Sequence, residues 1–480
     1  MSQPRAGEAA RSAGSSKLEP GSYRDPDSRV FYAESGVFRL LSERGLRDWE
    51  ALARSSLWAE GSSEGKLIAT EPAPDRPVLS DALHEGVAAV LRHELIPFVS
   101  YPYEWPFGML KDAALLQLEL LRRALAEDLI LKDSSPYNVQ WRGSEPVFVD
   151  IGSFERLRPG EPWAGYRQFC MLYLNPLLLQ AYKNVPFQPW LRGSIGGIAP
   201  EECAKLMSVR DRLRRGVLTH VVLHARLDRG QRDSARDIRK ELRTAGFRKE
   251  LILANVRRLE RLVRRLEWTP PASAWSGYGA TTTYTPEDAE RKTAFVRAAT
   301  ASRRWGLVWD LGSNVGRYSR ILAESASYVV AADADTAVVE ALYRSLKQEG
   351  NRTILPLAVD VTDPSPALGW NSAERRTLAG RGAPDLVVCL ALIHHVSIVG
   401  NVPVGEFLDW LRGLGSALLI EFPTREDTMV QRLLARKRER SHPDYDRAWF
   451  ERALADRFDV ERTEELSSGR RVLYFGTPKG

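Results

Sequence analysis

Beyond about residue 300 the chain alternates short apolar runs with intervening stretches, and this pattern constrains the fold more than any other feature. LVWDLG, SYVVAAD, ILPLAVD, DLVVCLAL and ALLIEF read as five buried strands. Four of them have helices or long connections between them, as parallel βαβ units require. A lead-in helix is expected near Pro286–Thr300, and FDVERTEEL and RVLYFGT close the chain as a predicted hairpin. The prediction is an α/β, Rossmann-like domain of seven strands.

The strand ends carry the chemistry. Asp310 ends the first strand, and Gly312, Ser313, Asn314, Val315 and Gly316 turn the chain into a helix. Glycine at both flanks lets backbone pass close to a ligand, and the helix start behind it offers free N–H groups. The dinucleotide pattern GxGxxG is not met, because residue 314 is Asn. An acid at Asp310 would repel a pyrophosphate but suits an amino group. The second strand ends in Asp333, 17 residues beyond Gly316, where a carboxylate can accept both hydroxyls of a ribose. Asp335 is expected to face away and cap the next helix. The third strand ends in Asp360 and Val361, a carboxylate and an N–H suited to an adenine edge. Acids at three successive strand ends line the edge where ligands bind in parallel sheets. His394 and His395 follow the fourth strand, and Glu421 ends the fifth.

These residues resemble class I S-adenosyl-L-methionine-dependent methyltransferases, over about Thr282 to Gly480. The resemblance implies S-adenosyl-L-methionine as cofactor, with Asp310, Gly312, Asn314 and Gly316 around its methionine part. Asp333 would hold the ribose, and Asp360 and Val361 would lie near the adenine. Asn314 departs from the glycine many members have there. The His pair would stand nearest the transferred methyl. A sulfonium methyl is already activated, so catalysis is largely in-line positioning, with a base for hydroxyl or carbon acids. His395 is the preferred base, with His394 and Glu421 behind it; packing and capping are the alternative roles. The NPPY-type loop of base methylation is absent, which argues against DNA adenine as acceptor. PFVSYPYEWPFGMLKDAALL, VFVDIGSF, WAGYRQFC and LALIHHVSIVGNVP are similar to bacterial methyltransferases related to the nodulation protein NoeA, and that resemblance covers most of the chain.

At 480 residues the chain is longer than one core normally serves. LKDSSPYNVQW, followed by VFVDIGSF, places Asp133, Asn138 and Asp150 at spacings of five and twelve. A phosphotransfer loop uses an Asp for the acceptor hydroxyl, an Asn five residues on for a metal, and an Asp-x-Gly for a second metal contact. Over roughly Phe98 to Leu179 the chain resembles the C-lobe of aminoglycoside-kinase-like proteins, implying a mostly helical α+β domain. The departures lie in the phosphate-holding half. Leu131 and Lys132 stand where such kinases have His and then Arg or Gly, GSSEG at Gly61 is poorly spaced for a phosphate loop, and Lys66 starts a strand rather than lying inside one. Asp133, Asn138 and Asp150 are the residues that would carry any surviving nucleotide or metal chemistry.

Around that loop, helices are expected at Trp49–Trp58, Ala113–Leu131 and Met171–Tyr182, and strands at KLIATEP from Lys66 and at Val147–Val149. The segment Lys205–Arg265 holds 19 Lys and Arg against 7 Asp and Glu. Leu251, Leu259, Leu262 and Leu266 are spaced there as the buried side of a helix. A solvated basic face is the favoured reading and a nucleic-acid surface the lesser one, since aromatic interleaving is lacking. The expected boundaries are a disordered tail over 1–28, the kinase-like module over 29–199, the basic helical segment over 200–268, linker and lead-in over 269–285, and the methyltransferase domain over 286–480.

Cys170, Cys203 and Cys389 show no paired spacing, so neither a disulfide framework nor a metal site is expected. No run approaches the ~20 apolar residues of a membrane span, and a cytoplasmic protein is expected. The sequence therefore predicts a methyltransferase for a small-molecule or glycan acceptor, its N-terminal module helping recognition. The rivals are a bifunctional kinase–methyltransferase and a binding protein with a non-catalytic cofactor fold.

Overall fold

The computed structural model describes residues 17–73, 86–226, 248–270, 284–438 and 441–480. The N-terminal unit opens with an antiparallel sheet in the order β1-β2-β3-β5-β4. Its strands are β1 (Lys17–Leu18), β2 (Ser28–Ala33), β3 (Gly36–Leu41), β4 (Thr70–Pro72) and β5 (Ala89–His93). The helix Phe107–Ala126 follows, burying Leu110, Leu118, Leu121 and Leu125 among others. Three short strands come next, β6 (Leu129–Leu131), β7 (Val139–Arg142) and β8 (Glu145–Phe148); β9 (Phe154–Arg156) then returns to pair with β6. The regular structure that follows among the described residues is helical, and the helix Lys249–Arg265 packs along Phe107–Ala126.

The C-terminal unit is one sheet of seven strands. They are β10 (Trp305–Leu311), β11 (Ala326–Asp333), β12 (Ile354–Ala358), β13 (Leu386–Cys389), β14 (Ala417–Pro423), β15 (Phe458–Glu465) and β16 (Arg471–Pro478). The order is β12-β11-β10-β13-β14-β16-β15, parallel except where β16 runs antiparallel between β14 and β15. The five predicted strands, the lead-in helix at Pro286–Thr300 and the closing hairpin are all present.

Alternate side chains of this sheet enter two different cores. Val308, Val329, Ala331 and Val388 face the helices Pro286–Thr300 and Arg317–Ala323. Trp309, Leu311, Tyr328, Val330 and Leu355 belong instead to a core continuous with the N-terminal unit. Phe98 meets Trp309 edge-on at 5.9 Å, and Trp141 meets Tyr343 at 5.8 Å. The Tyr328 hydroxyl donates to the Trp141 carbonyl and accepts from the Gly143 N–H, both at 3.0 Å. Residues 359–385, between β12 and β13, contain no α-helix; their regular structure is limited to two short 3-10 turns. The N-terminal unit covers the face where a crossover helix would otherwise pack. Glu104 and Arg381, each 1% exposed, form an ion pair across this junction.

Several expectations need correction. The tail expected over 1–28 ends earlier, because Lys17–Leu18 pairs with β2 and Glu19 meets Arg376; residues 1–16 lie outside the described residues. The helix expected at Ala113–Leu131 starts at Phe107 and stops at Ala126, and its last leucines form β6 instead. Trp49–Trp58 spans two helices, Glu43–Ala53 and Ser56–Ser63, the second capped by the Ser55 hydroxyl on the Trp58 N–H. Of KLIATEP only Thr70–Pro72 is strand. The helix expected at Met171–Tyr182 extends over 166–183 through a π-helical turn, Cys170–Leu174. Leu251 is 55% exposed, and the buried stripe of its helix is Ile252, Val256, Leu259, Leu262 and Val263. Most of the linker expected over 269–285, residues 271–283, lies outside the described residues. Among the described residues no helix is long and apolar enough to cross a membrane.

Candidate functional site

The loop after β10 is held open by backbone geometry. Gly312 and Gly316 adopt φ of +78° and +76°, and Asn314 reaches +48°. Asn tolerates this region better than other side chains because it bonds its own backbone neighbourhood, and here its Oδ1 accepts from the Val315 N–H at 2.7 Å. A Cβ on Gly316 would stand 2.5 Å from Leu342, so helix and sheet approach closely there. The Gly312 and Ser313 N–H groups both donate to the Ala332 carbonyl on β11.

Asp333 ties this loop down from the next strand. One carboxylate oxygen accepts from the Asn314 N–H and the other from the Asp335 N–H, both at 2.9 Å. Burial pushes its pKa up. Asp335 caps the helix Thr336–Gln348 through the Ala337 N–H, as expected. Asp310 is 2% exposed and accepts from the Ser319 hydroxyl at 2.6 Å; burial raises its pKa to about 6. Asp360 is exposed just past β12, its carboxylate accepting from the Thr362 N–H, and Val361 follows half-buried. The Ser313 hydroxyl is buried with no hydrogen-bond partner in the protein. A buried, unsatisfied hydroxyl in a loop of this kind marks a place for a ligand group or a water.

Past β13 the chain turns through Ala391 at φ +52° and enters a π-helical turn, His395–Val399. Such turns recur at functional sites. His394 and His395 lie with ring centroids 4.1 Å apart. His394 is fully buried, neither ring nitrogen has a hydrogen-bond partner, and burial drives its pKa well below the usual imidazole value. His395 is half-buried; burial, helped by Arg471, lowers its pKa to about 4.

Glu421 lies within β14, two residues before its end, inside a buried charge network. Its carboxylate meets Lys292 at 2.7 Å and Arg471 at 3.2 Å, and accepts from the Tyr284 hydroxyl at 2.6 Å. Arg471 also pairs with Asp427 at 2.8 Å. Burial alone would raise the Glu421 pKa, but Lys292 and Arg471 override it and hold the group near 2. Lys292, Tyr284 and Arg471 were not expected from sequence. Each sits in an ordinary amphipathic or polar context, and only the folded sheet brings them together.

In the N-terminal unit, Asp133, Asn138 and Asp150 do converge. Asp150 pairs with Arg39 of β3 at 2.8 Å and accepts from the Ser153 hydroxyl at 2.5 Å, while the Asn138 amide donates to the same Ser153 at 3.2 Å. Asp133 accepts from the Ser135 N–H at 3.0 Å, and burial, then Asp150, raises its pKa. Arg39 had a signal in sequence, as the lone charge in the apolar strand GVFRLL. Neither Lys66 nor GSSEG takes part. Lys66 pairs with Glu64 and Glu119, and Gly61 is packed against Leu67 inside a helix. Among the described residues no group of three or more His, Cys, Asp or Glu side chains is placed to hold a metal.

The strand order, the antiparallel seventh strand and the glycine-flanked loop with its strand-end acids define the class, a Rossmann-like α/β domain of the methyltransferase type. The chain belongs to the family of the nodulation protein NoeA. It is 32% identical to the Rhizobium meliloti (strain 1021) protein of that name over 457 residues, 95% of this chain and 94% of that one. No family model matches the chain. Similar solved structures include N-methyltransferase NodS from Bradyrhizobium japonicum WM9 with S-adenosyl-L-homocysteine, at 14% identity and a TM-score of 0.30, covering 41% of this chain and 90% of that one. Another is magnesium protoporphyrin IX methyltransferase from Synechocystis PCC 6803, at 18% identity and a TM-score of 0.29, covering 46% and 94%.

Proposed function

We propose that the chain transfers a methyl group from S-adenosyl-L-methionine to a small-molecule or glycan acceptor, with the N-terminal unit helping to recognise it. The observation that carries this reading is the set of carboxylates at three consecutive strand ends, Asp310, Asp333 and Asp360, around a loop whose positive-φ glycines keep side chains out of the way. The residues present fit the cofactor. The unpaired Ser313 hydroxyl suits its methionine end, Asp333 has lone pairs left for ribose hydroxyls, and Asp360 with the Val361 N–H suits the adenine edge.

Bound there, the cofactor would supply a methyl group already activated as a sulfonium substituent. His395 is neutral at pH 7, because burial and Arg471 hold its pKa at about 4. As a neutral imidazole it can act as the base that takes the proton of a hydroxyl or amine nucleophile as the new bond to carbon forms. His394, buried and uncharged, lines the same turn. Glu421 does not fit the role of base, since Lys292 and Arg471 already hold its charge; it fixes the floor of the site. A cytoplasmic location belongs to the same reading, supported by three buried cysteines that form no disulfide.

Calorimetry with S-adenosyl-L-methionine tests the proposal. The wild-type protein should bind it, and Asp333→Ala should lose binding while keeping the wild-type circular dichroism spectrum. No binding by the wild type would sink the reading. The acceptor would then be found as the metabolite that gains the mass of a methyl group when enzyme and cofactor meet a cell extract.

A further inference from the structure

A large cavity lies away from the cofactor edge. It encloses about 1050 Å³ and is lined mainly by the N-terminal unit. Its far wall is the connection between β12 and β13, which contributes Glu374, Arg375, Arg376 and Arg381. Most charges around it are already neutralised: Asp150 by Arg39, Glu374 by Arg24, Arg376 by Glu19 and Arg381 by Glu104. Two are not. Asp133 accepts from the Ser135 N–H, has the Asn138 and Gln168 side chains beside it, and has no cation within salt-bridge distance among the described residues. Arg375 has no carboxylate partner; its guanidinium lies 4.0 Å over the Tyr137 ring, donates to the Glu374 carbonyl, and leaves a buried Nε with no hydrogen-bond acceptor.

One anion and one cation on the same cavity, neither in an ion pair among the described residues, call for a ligand that donates hydrogen bonds at one end and bears negative charge at the other. A guanidinium held flat on an aromatic ring is preorganised for a phosphate or carboxylate. Asp133, kept among amides, accepts from hydroxyl groups. The metal-bridged alternative is disfavoured by the contacts of the acids themselves. The Asp150 charge is already taken by Arg39, and the Asn138 amide is turned to Ser153.

We propose that this cavity is a metal-independent binding site for a small polyhydroxylated anion, a sugar ring carrying one phosphate or carboxylate, whose anionic group is held by Arg375 and whose hydroxyls are held by Asp133. The two units build the site together, since the arginine comes from one and the aspartate from the other. The proposal stands apart from the methyl-transfer reading and would hold if the cofactor edge were inert.

The test is calorimetry on the full chain, without cofactor, using glucose 6-phosphate, glucuronate, glucose and ADP, each with EDTA and then with magnesium. At least one of the two anionic sugars should bind saturably in EDTA and more tightly than glucose, and which one binds identifies the anionic group. Arg375→Ala should weaken it ~10–100-fold, as expected for loss of a charge-assisted contact. Asp133→Asn should weaken both the anionic sugar and glucose, because it acts on the hydroxyls they share. Both side chains are partly exposed, so unchanged melting temperatures are expected to show that the variants fold, and Arg375→Lys should restore part of the affinity. Failure of both anionic sugars to bind, or binding that ignores Arg375→Ala, overturns the proposal. So does binding of ADP alone that requires magnesium and is lost in Asp150→Asn.

Discussion

The Glu104–Arg381 pair is the sharpest test of the claim that the two units share one core. Both side chains are 1% exposed. Arg381 reaches Glu104 through two hydrogen bonds, at 2.7 and 2.5 Å, and the Val99 carbonyl at 2.9 Å. Arg381→Met would leave the Glu104 carboxylate buried with only the Ser365 hydroxyl and the Tyr101 N–H as donors. Uncompensated charges of this kind cost about 3–5 kcal/mol. With a urea slope of about 2–3 kcal/mol per molar, the unfolding midpoint should fall by roughly 1–2.5 M. Glu104→Leu combined with Arg381→Met removes both charges and should recover most of that loss. Far-ultraviolet circular dichroism reports both units, so one common transition should shift. A loss below about 1 kcal/mol would mean that water reaches the pair. Movement of one of two separate transitions would mean that the units do not fold as one.

Three other outcomes follow from named contacts. The folded-state pKa of Glu421, near 2, lies below its ordinary 4.5, so its contribution is fully present above about pH 4.5 and lost as the pH falls toward 2. Glu421→Gln should therefore cost most at neutral pH, and a gap to wild type that stays constant from pH 6 to 2 would refute the pairing. Gly316→Ala should destabilise by roughly 1–3 kcal/mol, because its φ of +76° is strained for alanine and the new Cβ would press on Leu342; thermal unfolding checks it. His395→Ala should slow methyl transfer about 10²–10⁴-fold if it takes the proton, and an unchanged single-turnover rate would return it to packing.

What could be read in the sequence was what short range decides. The strands from LVWDLG to ALLIEF are runs of apolar residues bounded by breakers, and each ends in the acid or loop that the sheet edge exposes. Asp335 announces its cap from the two residues that follow. The trio Asp133, Asn138 and Asp150 likewise comes from one local stretch. The misses were long-range. No local pattern in ERRTLAGRGAP marks Arg381 for burial; it is buried because Glu104 arrives from 277 positions away. Leu251 fits a helical apolar spacing, but the face turned to the helix Phe107–Ala126 begins at Ile252, one position on. Residues 17–28 look like a polar tail until Glu19 finds Arg376. No window of sequence contains both partners of such contacts.

The shared core also sets a timetable for synthesis. Phe98 and Trp141 leave the ribosome well before Trp309 and Tyr343, their partners across the junction. At about 5–20 residues per second, the interval between Phe98 and Trp309 is roughly 10–40 s. For that time the nascent N-terminal unit presents an aromatic surface that nothing yet covers. Chaperone dependence, and sensitivity to stalling of translation before β10, are therefore built into the order in which the two halves of this core are made.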